Sequence, residues 1–475
     1  MEGAPPNLGL TLLGRALEPR ERARLVTVGE RLLEFHRRLS AFPSAKSAPV
    51  ASPVVALYRE GKMLNCALSR AGGSGAHRLK RAFLASSGPV GQNGEPVATD
   101  LEITYGRAAR WLEDPADVAV GEEGLALIRD DDVPVLLMPS VAREWSADPP
   151  AFLELLRSKA GSLRGRLAAW SAERIVARVS RVERDSLARA GGDGDAIQAD
   201  YAAAWLARMV GADGAVTFAL DPRRRILQPS GELHHARSAV AIEALARVDG
   251  YEREVRRARA WLAREIRFGL AGDDVPEWPR DPARVAGTLA LAACAGVHFT
   301  DELIALAERP EVISNAWHAA QVALALGPRA PDALLRACAD DRPKQPFAPW
   351  TVLAARALGD RALAARAAER LAASVRLSAP HVGGAGPQRV PETGLTAVAA
   401  HALAGGPHEE AHEAALAFVR RRHLLPRQIP AILDPRLALG GFSATPVDDT
   451  LRADIAGHAL LALLAADAAA PRRVH

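Results

Sequence analysis

The order of hydrophobic periods along the chain predicts a mixed α/β domain followed by an all-α domain. Three observations carry this. In the first third, short runs alternating apolar and polar residues interleave with stretches whose apolar spacing is helical. Beyond Ala196 the alternation stops, and alanine-rich segments separated by Pro, Gly and Asp take over. The chain has 475 residues, more than the roughly 250 to 300 at which one hydrophobic core stops growing. Gly191, Gly192 and Gly194 fall where the two textures meet, which gives domains at 1–190 and 191–475.

Within the first domain, Pro19 suits the first turn of a helix, and Leu25, Val28, Leu32, Leu33, Phe35 and Leu39 continue it at helical spacing. Pro43 to Pro53 interrupts it. Val54 to Leu57 and Met63 to Leu68 have strand texture, and Gly72, Gly73 and Gly75 read as a loop. Leu101, Ile103 and Tyr105 alternate with Glu102, Thr104 and Gly106, a period-two strand. Leu125 and Leu127, then Val133 to Met138, give two further strands around the acidic turn at Asp130 to Asp132. Pro149 and Pro150 open another helix, and a long amphipathic stretch runs from Leu163 to Leu187.

In the second domain the stripe Val255, Ala258, Leu262, Ile266 marks one helix, and Pro282 sits near the start of another carrying Val285, Leu289, Ala292 and Ala293. Further helices are expected at 301–307, 316–326, 331–338, 350–358, 362–375, 394–403, 409–422 and 452–465, an α/α repeat texture. Residues 219–245 and 432–464 echo each other: Asp-Pro, a polar or glycine loop, an arginine and then an apolar helix.

Composition narrows the function classes. Lys and Arg number 60 against 56 Asp and Glu, so the charge of +4 is a small excess and leaves no nucleic-acid footprint. Cys66, Cys294 and Cys338 are far apart and lack metal or disulfide spacing, so neither a metal site nor a disulfide framework is expected. The first residues carry no basic n-region with a full apolar run, and charges interrupt every Ala-Leu stretch before the ~18 residues of a span. The expectation is a cytoplasmic protein without membrane or nucleic-acid partners and without a cofactor.

Four segments of the first domain, "ATDLEITYG" (98–106), "VGEEGLALI" (120–128), "VLLMPSVAREW" (135–145) and "FLELLRSKAG" (152–161), resemble successive segments of the AMMECR family in order and spacing. The resemblance implies an α/β fold. That family carries an Arg-Gly-Cys-Ile-Gly motif whose cysteine is a candidate active-site residue, and the corresponding run here is Leu64-Asn65-Cys66-Ala67-Leu68. The cysteine stays while the arginine and glycines are gone, so Cys66 is expected to be buried and inert. The second domain, through "GELHHARSAVAIEALARV" (231–248) and "DPRLALGGFSATPVDDTLRADIAGHALLALL" (434–464), resembles the α/α toroids, including six-hairpin glycosidase-like and terpenoid-cyclase-like proteins. In such folds, loops and inner-helix ends surround a central cavity. Asp448-Asp449 does not complete the Asp-x-Asp-Asp acid of a class II cyclase, and Cys294 and Cys338 lack the zinc spacing of prenyltransferases.

Carboxylates, histidines and arginines at predicted loop-helix junctions supply the candidate site. Asp454, His458, Glu392 and Asp434 are the candidate catalytic residues, and Arg452, His235, Arg237 and Glu232 the candidate ligand-binding ones. Asp454 and His458, four apart, share a helix face with Arg452 at its start, and Gly440 and Gly441 let the preceding loop turn. The expected function is processing of a carbohydrate or other small molecule in a toroid cavity, with the first domain as an accessory module. The competing readings are a noncatalytic scaffold that binds a peptide or partner, and a first domain active through Cys66. Convergent carboxylates in a cavity favour chemistry; an alanine-filled centre favours a scaffold.

Overall fold

The computed structural model describes residues 8, 12–38, 48–49, 51–59, 61–69, 73–87, 98–128, 135–161, 165–178, 195–223, 226–227, 235–272, 275, 278–339, 348–425, 429–430 and 433–469. Two compact units divide the chain: Met1–Gly191 with Leu424–Ala438 and Pro446–Asp448, and Gly192–His423 with Leu439–Thr445 and Asp449–His475. The chain therefore returns to the first unit late in its course, which a single boundary near residue 190 does not capture.

The first unit opens with α1 (Pro19–Arg38), followed by strands β1 (Pro53–Arg59) and β2 (Lys62–Leu68), helix α2 (Gly75–Ser87) and strand β3 (Asp100–Trp111). Strands β4 (Glu123–Ile128) and β5 (Val135–Leu137), helices α3 (Pro139–Glu144) and α4 (Pro149–Ala160), and strand β6 (Arg166–Arg178) complete its first 178 residues. The six strands form one sheet in the order β2-β1-β3-β6-β4-β5, every pairing antiparallel. Leu25, Leu32 and Leu33 of α1 and Leu79 and Phe83 of α2 share a core with Val55, Leu57, Leu101, Ile103, Tyr105 and Ile175 of the sheet. Gly29 permits this approach, since a Cβ there would lie 2.6 Å from that of Ala177.

Two sequence expectations are corrected here. The glycines before residue 76 do not mark only a loop, because α2 begins at Gly75, against the carbonyls of Ala48 and Pro49. The amphipathic stretch beginning at Leu163 contains the 13-residue strand β6. It pairs with β3 on one side and β4 on the other, and Ala168, Ala169, Trp170, Ile175, Val176 and Ala177 are all buried, so its alternation is lost.

The second unit contains α5 (Asp195–Met209), short strands β7 (Ala219–Asp221) and β8 (Ile226–Leu227), then α6 (His235–Leu245), α7 (Glu252–Ala271), α8 (Pro282–Cys294), α9 (Thr300–Ala307) and α10 (Pro310–Ser314). Helices α11 (Ala316–Leu326), α12 (Asp332–Ala339), α13 (Pro349–Ala357), α14 (Arg361–Ala373), α15 (Thr393–Leu403) and α16 (Glu409–Arg422) follow. The short α17 (Pro435–Ala438) belongs to the first unit; β9 (Leu451–Arg452) and α18 (Ala453–Ala469) close the second. Side-chain caps start several helices where the sequence places Asp or Asn: Asp281 accepts from Arg284 N, Asn315 from His318 N and Asp360 from Leu363 N.

Contacts among the helices of this unit follow a cycle. Helix α6 packs on α8, α8 on α11, α11 on α13, α13 on α15, α15 on α18, and α18 again on α6. Each also carries an outer neighbour: α7 on α6, α9 on α8, α12 on α11, α14 on α13, α16 on α15 and α5 on α18. Alanine and glycine allow the close spacing. Gly457 of α18 lies so near α6 that a Cβ would stand 3.0 Å from the Val240 carbonyl oxygen. The strand β7 pairs antiparallel with β9, which sets Ala219 opposite Arg452 immediately before α18.

Candidate functional site

The N-terminal ends of the helices in this cycle border a cavity of about 440 Å³. Helix α6 supplies His235, Arg237 and Val240; α8 supplies Arg284, Gly287, Thr288 and Leu291; α11 supplies Trp317, His318 and Gln321. Trp350 comes from α13, Glu392 and Leu395 from the start of α15, Arg452 from β9, and Asp454 and His458 from α18.

The β9–α18 corner carries an ionic cluster. Arg452 donates from Nε to Asp454 Oδ1 at 3.1 Å and from Nη2 to Oδ2 at 2.6 Å, and Arg237 Nε stands 3.7 Å from the same Oδ2. Both guanidiniums lie over the Phe218 ring, at 5.0 Å for Arg237 and 5.3 Å for Arg452. Burial alone would raise the Asp454 carboxyl, but the Arg452 hydrogen bonds and charge, with Arg237, outweigh it and leave the pKa lowered. Asp454 is thus a fixed anion.

One turn on, His458 meets the edge of Trp350 with ring centroids 5.8 Å apart, and Trp350 meets Trp317 at 6.3 Å. Removal from water pushes the His458 imidazole down to about 4 despite the opposing pull of Asp454, so the ring is neutral near neutral pH. His318 is lowered by the same cause. His235 is buried, stacked on Trp261 at 5.9 Å and edge-on to Trp278 at 5.7 Å, so its ring serves largely as packing at the cavity wall. Glu392 is the N-cap residue of α15, yet its side chain accepts no capping hydrogen bond and has no ion pair among the described residues.

Asp454, His458, Glu392, Arg452, His235 and Arg237 therefore share one cavity. Glu232 lies outside the described residues. Asp434 is not on the cavity wall: it belongs to the first unit, where its carboxylate accepts from Arg436 N at 3.0 Å and Arg436 Nη2 at 3.2 Å, the local cap of α17. The structure thus does not bring Asp434 to the cavity with the other candidate residues. Trp317, Trp350, Arg284, His318 and Gln321 escaped the sequence reading. Their shared signal is position, because each sits in the first two turns of a helix of the cycle.

Cys66 is also corrected. It is exposed, on the outermost strand β2 opposite Ala56, not enclosed in the core. Its thiol pKa is nonetheless raised, first by partial desolvation, with Glu144 adding to this and Lys159 opposing it. The thiol is protonated at neutral pH.

No protein-family profile matches the chain, and no curated protein matches it. Among solved structures it is similar to the uncharacterised protein PH0010 from Pyrococcus horikoshii, at 18% identity over 34% of this chain and 93% of that one, with a TM-score of 0.27. No described helix is long and apolar enough to cross a membrane.

Proposed function

We propose that the second unit is an α/α toroid whose cavity binds and processes a carbohydrate or comparable polyhydroxylated small molecule, and that the first unit is an AMMECR-like accessory module. The observation supporting this reading is the joint presence, in one cavity, of an unclamped carboxylate (Glu392), a fixed carboxylate (Asp454) and the tryptophans Trp317 and Trp350. Tryptophan faces suit the C–H faces of sugar rings, and polar groups around them suit hydroxyls. The roles divide by electrostatics. Asp454, held ionised by Arg452 and Arg237, is a poor proton donor and orients the guanidiniums. Glu392 is the proton-transfer group, with neutral His458 as a hydrogen-bond partner. The accessory role proposed for the first unit is supported by Cys66, whose raised thiol pKa leaves it protonated rather than activated.

The test is Glu392→Gln in the full chain, assayed against a panel of oligosaccharides for bond cleavage or epimerisation and, by calorimetry, for binding. Turnover is expected to fall about a hundredfold or more while binding persists. Unchanged turnover would remove Glu392 from the chemistry. Binding without turnover by the unsubstituted protein would favour the noncatalytic scaffold.

A further inference from the structure

We propose that the ligand of the cavity is a sugar acid, a polyhydroxylated molecule carrying one carboxylate. The inference rests on the carbohydrate reading and adds the charge of the substrate to it.

The backbone is the first source of the preference. The helices of the cycle have their N-terminal ends at the cavity, and each contributes partial positive charge from N–H groups without an intrahelical acceptor. The ends add to one another because they border one cavity.

The side chains have the same sign. Among the described residues, three guanidiniums, of Arg237, Arg284 and Arg452, line the cavity against the two carboxylates of Glu392 and Asp454. Arg452 and Arg237 are committed to Asp454. Arg284 has no carboxylate partner among the described residues; the nearby Asp281 is engaged as the α8 cap, accepting from Arg284 N at 3.1 Å. Among the described lining residues the excess is one positive charge, which suits a monoanionic carboxylate.

An independent polar feature also addresses a ligand. Gln321 is only 5% exposed and borders the cavity, and its amide has no hydrogen-bond partner among the described residues. A bound hydroxyl or carboxylate would supply that partner. Gly287 on the facing turn of α8 keeps this corner open, because a Cβ there would lie 3.1 Å from Gln321 Oε1 and 2.5 Å from His318 Cδ2.

Calorimetry on the full chain at low ionic strength, where charge preference is least screened, tests the assignment. The probes are a glucuronate-containing disaccharide, its neutral glucose counterpart and the corresponding sugar phosphate. The acid should bind at least about tenfold tighter than the neutral sugar, a difference of about 1.4 kcal/mol. In Arg284→Ala that ratio should fall toward one, and Gln321→Ala should weaken the acid, both with the unfolding midpoint of the parent. Equal or tighter binding of the neutral sugar overturns the sugar acid while leaving the carbohydrate reading intact. Tighter binding of the phosphate overturns the carboxylate assignment. Binding of no probe removes both readings together.

Discussion

His423 shows how far one buried residue ties the helical unit to pH. It is fully buried, stacked on Phe442 with centroids 4.1 Å apart, and burial pushes its imidazole from 6.5 down to about 3. The unfolded chain binds the proton that the folded one refuses. Stability is therefore full above about pH 6.5 and falls as pH drops toward 3, by at most about 1.4 kcal/mol per pH unit. His458 and His401, each pushed down to about 4, act in the same direction. Urea unfolding at pH 7, 6 and 5 should show this slope, and His423→Phe, which keeps the stack and removes the titration, should flatten part of it. An identical slope in the variant would place the pH dependence elsewhere.

At the scale of elements, the Asp454 clamp decides how the start of α18 is held. Asp454 is 7% exposed and shared by two arginines, so Asp454→Asn leaves guanidinium charge facing a neutral amide. The expected loss is about 1–3 kcal/mol, below the extreme for fully buried pairs because the Arg237 side chain is 41% exposed. Chemical denaturation measures it; a midpoint equal to the parent's would mean the clamp is not holding the helix. Elements differ in how legible they are. The helix at 316–326 was readable to the residue, because Asn315 caps it and Gly327 ends it. Trp317 and Gln321 on that helix carry no sequence signal of a site, since only the cycle of helix contacts reveals that its first turns border a cavity. Asp454 and His458 were legible for the opposite reason: polar groups four apart at the head of an otherwise apolar helix demand an explanation. Asp434 stands apart from that cavity, its Asp-Pro setting also suiting a plain helix cap, and β6 was obscured because a strand paired on both sides and buried on both faces has no alternation to display.

For the whole molecule, the return of Leu424–Ala438 to the first unit changes what a cut in the chain does. Arg178, only 7% exposed at the end of β6, donates from Nη2 to the carbonyl oxygens of Ile429 at 2.8 Å and Pro430 at 2.7 Å, and pairs with Asp100 at 3.0 Å. Removing residues 424–438 would leave that guanidinium with two of its acceptors gone in a site largely closed to water, at a cost of about 1–3 kcal/mol. A fragment ending at residue 191 should therefore be less stable than the same residues within the chain. A protein carrying an engineered protease site after Gly191 should, once cut, stay together on gel filtration, because the later segment packed into the first unit is covalently continuous with the second. Denaturant should separate the pieces. Two fragments eluting apart under native conditions would show that residues 1–191 fold without the returning segment, and that the Arg178 bonds contribute little to holding it.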